Sequence, residues 1–424
     1  MQPKVIKMSN KFLITILSLF VSVCSIANDY LITDYGAVGD GKTLCTIAIQ
    51  TAIDDAHKAG GGKVVVPRGI FISGSINLKS NVNLFISKRG QLWGSLNPDD
   101  YRRVGKWRAF IMAEDETNIS ISGKGIINGR GDKVALQIDS LFYVGQLDSA
   151  DYNLKEGRSR EYMRPLIIRN HRCSNVSVTG VTIKNSACWV QSYNKCDGLT
   201  LKGITVYSDA YWNNDGIDIV DSKNVRVTDC NINAADDGIC IKTEDRKWHG
   251  VSENIYIANC TVRSSASAVK IGTSTMNDIR NVVIKNIKVY DTYRSAIAIE
   301  AMQEGVVENI HVENIKATNT GNAIFLRVGQ IRGAKTEGVL KNVTIKNVTV
   351  RVPFERPDYD YIIRGPELPF FHNVFPSSIT GVPGNPIHNV TLENIKIIYP
   401  GRGRRAYANM PISRLEDVPE AVHK

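Results

Sequence analysis

The sequence is poor in the residues and spacings that mark several common site types. It holds seven histidines in 424 residues, and no two cysteines stand in a Cys-x-x-Cys pair. A zinc site therefore has no ligand spacing to rest on, and no metal or other cofactor is expected. No dense lysine/arginine patch is interleaved with aromatics, so the usual footprint of a nucleic-acid binder is missing. Beyond residue 27 no apolar run approaches the length that spans a bilayer. Cysteine is sparse too: after the first 27 residues seven remain, Cys45, Cys173, Cys188, Cys196, Cys230, Cys240 and Cys260. The number is odd and several sit inside apolar strand patterns, so small buried thiols are expected.

What is present begins with a leader-like segment. Lys4, Lys7 and Lys11 precede the short apolar run "FLITILSLFVSV", and "SIA" lies just before Asn28. These features read as a signal peptide over residues 1–27, followed by one mature domain over 28–424. Cys24 follows Val23, where a lipoprotein signal wants a small residue, so a lipid anchor is the weaker reading. A secreted or periplasmic monomer is expected. Removing the three leader lysines from the formal charge of +10 leaves +7, which suits an acidic polysaccharide partner.

The strongest signal is a repeat. An Asn or Asp opens a run of alternating apolar residues, a polar corner follows, and alternation resumes. Examples are "NVSVTGVTI" at 175, "DGLTLKGITV" at 197, "NVRVTDCNI" at 224, "NIYIANCTV" at 254, "NVVIKNIKV" at 281 and "NIHVENIKA" at 309. These starts are 22, 27, 30, 27 and 28 residues apart. The alternation has period 2, so the segments are strands. Short strands and corners recurring at this interval predict an all-β, right-handed parallel β-helix. Asparagines at equivalent corners should ladder from coil to coil. The stretch "TIAIQTAIDDAHKAGGG", 46–62, reads as an amphipathic helix ended by glycine, placed to cap the N-terminal end. Residues 130–165 form a polar insertion rich in both charges, and 351–388 form one rich in proline and aromatics.

Aligning the coils on their Ile-x-Ile strands puts "DGIDIVD" (215–221), "DGICIKT" (237–243), "SAVKIGT" (267–273), "SAIAIEA" (295–301) and "NAIFLRV" (322–328) in register. Asp215 then lies beside Asp237, one coil spacing of roughly 4.8 Å away. Asp236 stands one residue earlier at the same corner. Asp218, Cys240, Lys270, Ala298 and Phe325 form an outward row. Three converging carboxylates suit glycosidic cleavage, which needs one protonated carboxyl and one carboxylate. Acidic residues also cap turns, and clustered acids hold calcium in lyases of this fold. Trp189, Tyr211, Trp212 and Tyr293 are candidate sugar platforms. His249 lies in a short insertion that could reach the cleft.

The opening stretch "DYLITDYGAVGDGKTLCTIAIQTAIDDAHKAGGGKVVVPRGIFISG", the coil pattern and "NNDGIDI…ADDGICIKT" resemble glycoside hydrolase family 28, the polygalacturonases and rhamnogalacturonan hydrolases. The resemblance covers roughly residues 29–400. It implies an inverting hydrolase in which Asp236 is the general acid and Asp215 and Asp237 hold and deprotonate the water. Asn213 falls on the first position of the family's Asn-x-Asp motif, and Trp212 precedes it. Two departures stand out. The Gly-His-Gly of polygalacturonases is replaced by Ala266-Ser267-Ala268, and their Arg-Ile-Lys by Ala298-Ile299-Glu300. Rhamnogalacturonan hydrolases of the family lack both motifs as well. Lys270 is the candidate replacement cation, and Arg327 lies one coil beyond Glu300 in the same column. The expectation is a hydrolase of rhamnogalacturonan or a modified galacturonan linkage. A calcium-dependent lyase and a non-catalytic carbohydrate-binding solenoid are the alternatives.

Overall fold

A computed structural model describes residues 29–331, 333–353, 357, 361–362 and 377–401. The predicted leader and much of the proline-rich insertion lie outside the described residues. The chain winds as a right-handed parallel β-helix with three strand faces per coil. One face runs through Ile76–Asn77, Trp107–Glu114, Leu166–His171, Gln191–Asn194, Ile217–Val220, Ile239–Thr243 and Val269–Thr275, each strand parallel to the next. It continues through the ends of the two 23-residue strands Ile279–Ala301 and Val306–Val328. We call this the site face. Along it Ser192, Asp218, Cys240, Lys270, Ala298 and Phe325 stand in register. The register expected from the repeat is present, but every member is buried, so the row is not the surface row that alternation predicts.

Period-2 alternation explains the core. Ile217, Ile219, Ile239, Ile241 and Ile271 point inward and are fully buried, and each stacks on its counterpart one coil away. All seven described cysteines are free and buried, as small apolar fillers.

The corners explain the asparagines. Asn175, Asn254, Asn309 and Asn342 have φ of 51–57°, a left-handed conformation that Asn tolerates better than other side-chain-bearing residues. Their amides then bond along the stack. Asn175 donates to Asn118 at 3.1 Å, Asn309 to Asn281 at 3.2 Å and Asn342 to Asn309 at 3.2 Å. A second ladder runs five residues further along each coil, with Asn314 donating to Asn286 and Asn347 to Asn314.

The capping helix α1 spans Thr46–Lys58 and buries Ile49, Ala52, Ile53 and Ala56 against the first coil. It is shorter than the 46–62 pattern, because Gly60 and Gly61 turn left-handed and Gly62 already opens a strand. A Cβ on Gly61 would lie 2.6 Å from the Asn81 carbonyl, so the turn needs glycine there. The charged insertion also proves more ordered than its composition suggests. Its helix α2, Gly131–Tyr143, buries Val134, Ala135 and Ile138 against the solenoid flank.

Asn309→Ala removes a left-handed-tolerant residue and two ladder bonds. It should lower stability by about 2–3 kcal/mol. Asn309→Gly keeps the backbone preference and should lose less. Denaturant titration of the two variants beside the parent checks the order.

Candidate functional site

Each acidic motif sits where a coil enters the site face. The Gly216 N–H donates to the Asp237 carbonyl at 2.9 Å, so Asp215 and Asp237 are neighbours across adjacent coils. One carboxylate oxygen from each of Asp215, Asp236 and Asp237 lies within 4.8 Å of the other two. Asp215 and Asp237 are buried, whereas Asp236 is half-buried and the most accessible of the three.

The turn that presents Asp215 is held from a distance. Arg164, fully buried, donates to the carbonyls of Ala187 and Trp212, both at 3.0 Å, and to Asn213 Oδ1 at 2.8 Å. Asn213 in turn reaches Asp236 Oδ2 at 3.4 Å. Asn214 accepts from Ser208 at 2.6 Å and donates to the Cys188 carbonyl at 3.2 Å. Asp236 Oδ1 accepts from the Asp237 N–H at 3.0 Å. Asp237 Oδ1 accepts from the Ser267 N–H at 3.2 Å, so the corner that lost its histidine still supports the acid.

Two lysines answer the negative charge. Lys242 Nζ lies 2.9 Å from Asp215 and 2.7 Å from Asp218. Lys270 Nζ lies 3.2 Å from Asp237 and 3.6 Å from Glu300. Both lysines are more than nine-tenths buried. Burial alone would discharge them, but the carboxylates around them hold both in the charged form. The carboxyls separate accordingly. Burial raises Asp236, and the Asp237 charge beside it adds to the rise. Burial also pushes Asp237 up, but Lys270, Lys242 and Arg294 more than reverse this and hold it low. Asp215 is raised by burial and by Asp218, with Lys242 opposing. The corner thus favours a proton on the reachable Asp236 and a bare carboxylate on Asp237, the split that acid–base catalysis uses.

The other sequence candidates fall in different places. Trp212 is half-buried, with the Arg158 guanidinium 5.6 Å from its ring centre. Tyr211 is fully buried and bonds Asp139 of the insertion, so it is a core residue and not a sugar platform. Trp189 and Tyr293 are each 8 % exposed. His249 is exposed, two residues past the turn at Arg246 and Lys247. Glu300 is fully buried, and burial, helped by the Asp237 charge, raises its carboxyl despite the opposing charges of Lys270, Arg294 and Arg327. Arg327 pairs in register with Glu300 on the neighbouring coil. The closest acid–base oxygens lie nearer than the roughly 6.5–9.5 Å usual between the carboxyls of inverting pairs.

Three functional residues escaped the sequence reading. Lys242 was legible as outward-facing from the Ile239-x-Ile241 alternation, but its reach back across a coil was not. Arg294 sits where the strand pairing shifts by one residue between Thr292 and Ser295, and that extra residue brings a cation to bear on the acids. Arg164 lies in an insertion with no motif. The donor set also bears on calcium. Calcium needs six to eight oxygen ligands, and here two ammonium groups already neutralise Asp215 and Asp237 at 2.9 and 3.2 Å. A dication would have to displace both, so the residues present do not fit a resident calcium.

Asp221, just past this strand, is buried, and its carboxyl accepts two 3.2 Å contacts from the Glu244 N–H. Burial, helped by the Glu244 charge, pushes it up to about 7. An acid raised on folding favours the fold below its unfolded value and loses that contribution as pH rises through its folded value. Asp221→Asn should therefore gain stability relative to the parent between about pH 4 and pH 7. Thermal midpoints across that range check the sign.

Comparison with known proteins matches this architecture. The chain is 25% identical over 348 residues to a "Probable polygalacturonase" of Vitis vinifera, covering 77% of this chain. It spans only 61% of that relative's length. It is also 27% identical over 337 residues to an "Exopolygalacturonase" of Zea mays, covering 75% of each. Among solved structures, an exopolygalacturonase from Thermotoga maritima superposes with a TM-score of 0.66 at 24% identity, covering 88% of this chain and 92% of that one. A polygalacturonase from Erwinia carotovora gives 0.63 at 21% identity, covering 88% and 93%. These two share the fold. The family model described as glycosyl hydrolases family 28 matches residues 58–352. With the β-helix and its corner of three aspartates, that match shows that this chain belongs to glycosyl hydrolases family 28, a family of glycosidases.

Proposed function

We propose that the protein is an inverting hydrolase of pectic polysaccharide. Its substrate is a rhamnogalacturonan or modified galacturonan linkage, not plain polygalacturonate, and it works as an exported monomer. The observation that carries this reading is the convergence of Asp215, Asp236 and Asp237 within 4.8 Å, with Asp236 raised and Asp237 lowered. Asp236 protonates the leaving oxygen. Asp215 and Asp237 hold the attacking water and take its proton.

Inversion rests on the family resemblance, whose acid falls on Asp236 and whose water-holding pair falls on Asp215 and Asp237, the two acids that Lys242 and Lys270 grip. The substrate preference rests on charge. Polygalacturonate would bring a carboxylate to each sugar position. Here Lys270 already faces Asp237 and the buried Glu300.

Asp236→Asn should cut hydrolysis by about 10²–10⁴-fold without lowering the thermal midpoint. Reducing-end assays on rhamnogalacturonan and polygalacturonate fractions read the loss. Proton NMR of the first product reads its anomeric configuration, and retention would overturn the single displacement. A product absorbing in the ultraviolet, lost on chelation, would instead mark a lyase. Lys270→Met removes the charge that keeps Asp237 ionised. The acidic limb of the pH–rate profile should therefore move up by about one to three pH units.

A further inference from the structure

The lysines of the acidic corner are committed to its own carboxylates. Cations without such a commitment lie on the strand face that leads into the corner. Strand Asn231–Ala234 belongs to that face and runs into Asp236. Two outward rows cross it. The first passes through Thr182, Thr205, Asn231 and Thr261. It continues through Lys288, Lys316, Thr349 and Lys396. The second stands two residues further on, from Lys184 and Tyr207 to Tyr290, Thr318 and Arg351. Neither row holds an acidic residue over these eight strands.

Lys288, Lys316, Arg351 and Lys396 are exposed, one on each of four consecutive coils. None of the four makes an ion pair among the described residues. The neighbouring face of the same coils is built differently. There Lys285, Glu313, Lys346 and Glu393 alternate in sign, and Lys346 lies 2.7 Å from Glu393. Arg280, Glu308 and Lys341 alternate too, and Lys341 lies 3.1 Å from Glu308.

Like charges facing each other across paired strands repel. Lys288 and Lys316 do so across one coil spacing, roughly 4.8 Å. The four cations form a line roughly 14 Å long, parallel to the solenoid axis. A compact anion would meet one or two of them. A linear polyanion meets all four. Thr318 and Thr349 stand exposed among them and offer hydroxyls to a sugar.

We propose that this acid-free face is a second binding surface for an acidic polysaccharide. A uronate-bearing strand lies along it with carboxylates over Lys288, Lys316, Arg351 and Lys396. The proposal rests on the substrate class proposed above and adds a site outside the catalytic corner. Polymer held there raises the local substrate concentration without touching the reacting bond.

The test compares the full chain with a variant carrying Lys288→Gln, Lys316→Gln and Lys396→Gln. The three side chains are exposed, so the variant should fold as the parent does. Native gels containing polygalacturonate, rhamnogalacturonan or uncharged dextran read binding. Hydrolysis is assayed separately, on the polymers and on short oligosaccharides. The acidic polymers should retard the parent, and dextran should not. The substitutions should weaken that binding about tenfold or more, and added salt should remove the difference. Activity on oligosaccharides should match the parent, whereas KM for polymer should rise. The corresponding lysine-to-arginine variant should bind as the parent does. Equal retardation of parent and glutamine variant would overturn this proposal and leave the glycosidase reading intact. Lysine-dependent binding to DNA or anionic vesicles, with none to either polysaccharide, would overturn it as well. Binding that depends on the three lysines, with no new reducing ends from any substrate, would overturn the glycosidase reading alone.

Discussion

The coil-to-coil hydrogen bonding of the site face is the constraint on which the remaining structure depends. Parallel strands hold neighbouring coils one strand spacing apart, roughly 4.8 Å. That spacing turns two motifs 22 residues apart in sequence into adjacent carboxylates. It also leaves no freedom to slide, since a one-residue slip would turn every core isoleucine outward. The left-handed asparagines act on the same constraint from the corners. They let the chain turn without breaking register, and their amides bond along the stack.

Bringing acids so close creates an electrostatic problem that the fold answers locally. Buried carboxylates without partners would take up protons or destabilise the chain. Lys270, with Lys242 and Arg294, keeps Asp237 ionised, whereas burial raises Asp236, which lies nearer solvent, and also Asp215, where the paired Lys242 opposes the rise. The same charges limit what else the corner can do, because they oppose a bound dication. Lys242 has one further contact, with the Trp189 ring, and so joins the acidic corner to the aromatic cluster beside it.

Much of this was legible in the strand alternation. The β-helix, the capping helix, the register of the row from Asp218 to Phe325 and the side-by-side placement of Asp215 and Asp237 all follow from period 2 and the corner residues; the burial of that row does not. The extent of α1 was overread because its pattern runs on into glycines that already belong to a turn. The charged insertion at 130–165 concealed a helix whose apolar stripe of Val134, Ala135 and Ile138 is short. Tyr211 looked like a sugar platform because it neighbours the acidic motif, yet it points into the core and meets Asp139.

By itself, then, the sequence determined the architecture and the three aspartates, because both are written in short-range periodicity. The tertiary structure alone decided what surrounds them. Arg164 reaches the Asn213 turn from 49 residues away, Lys242 reaches back one coil to Asp215, and Trp107 meets Trp189 across two loops. Such contacts depend on side-chain length and on how insertions fold back over the solenoid. No local repeat encodes either, so the charge balance of the corner and the aromatic pair beside it emerge only when the coils are stacked.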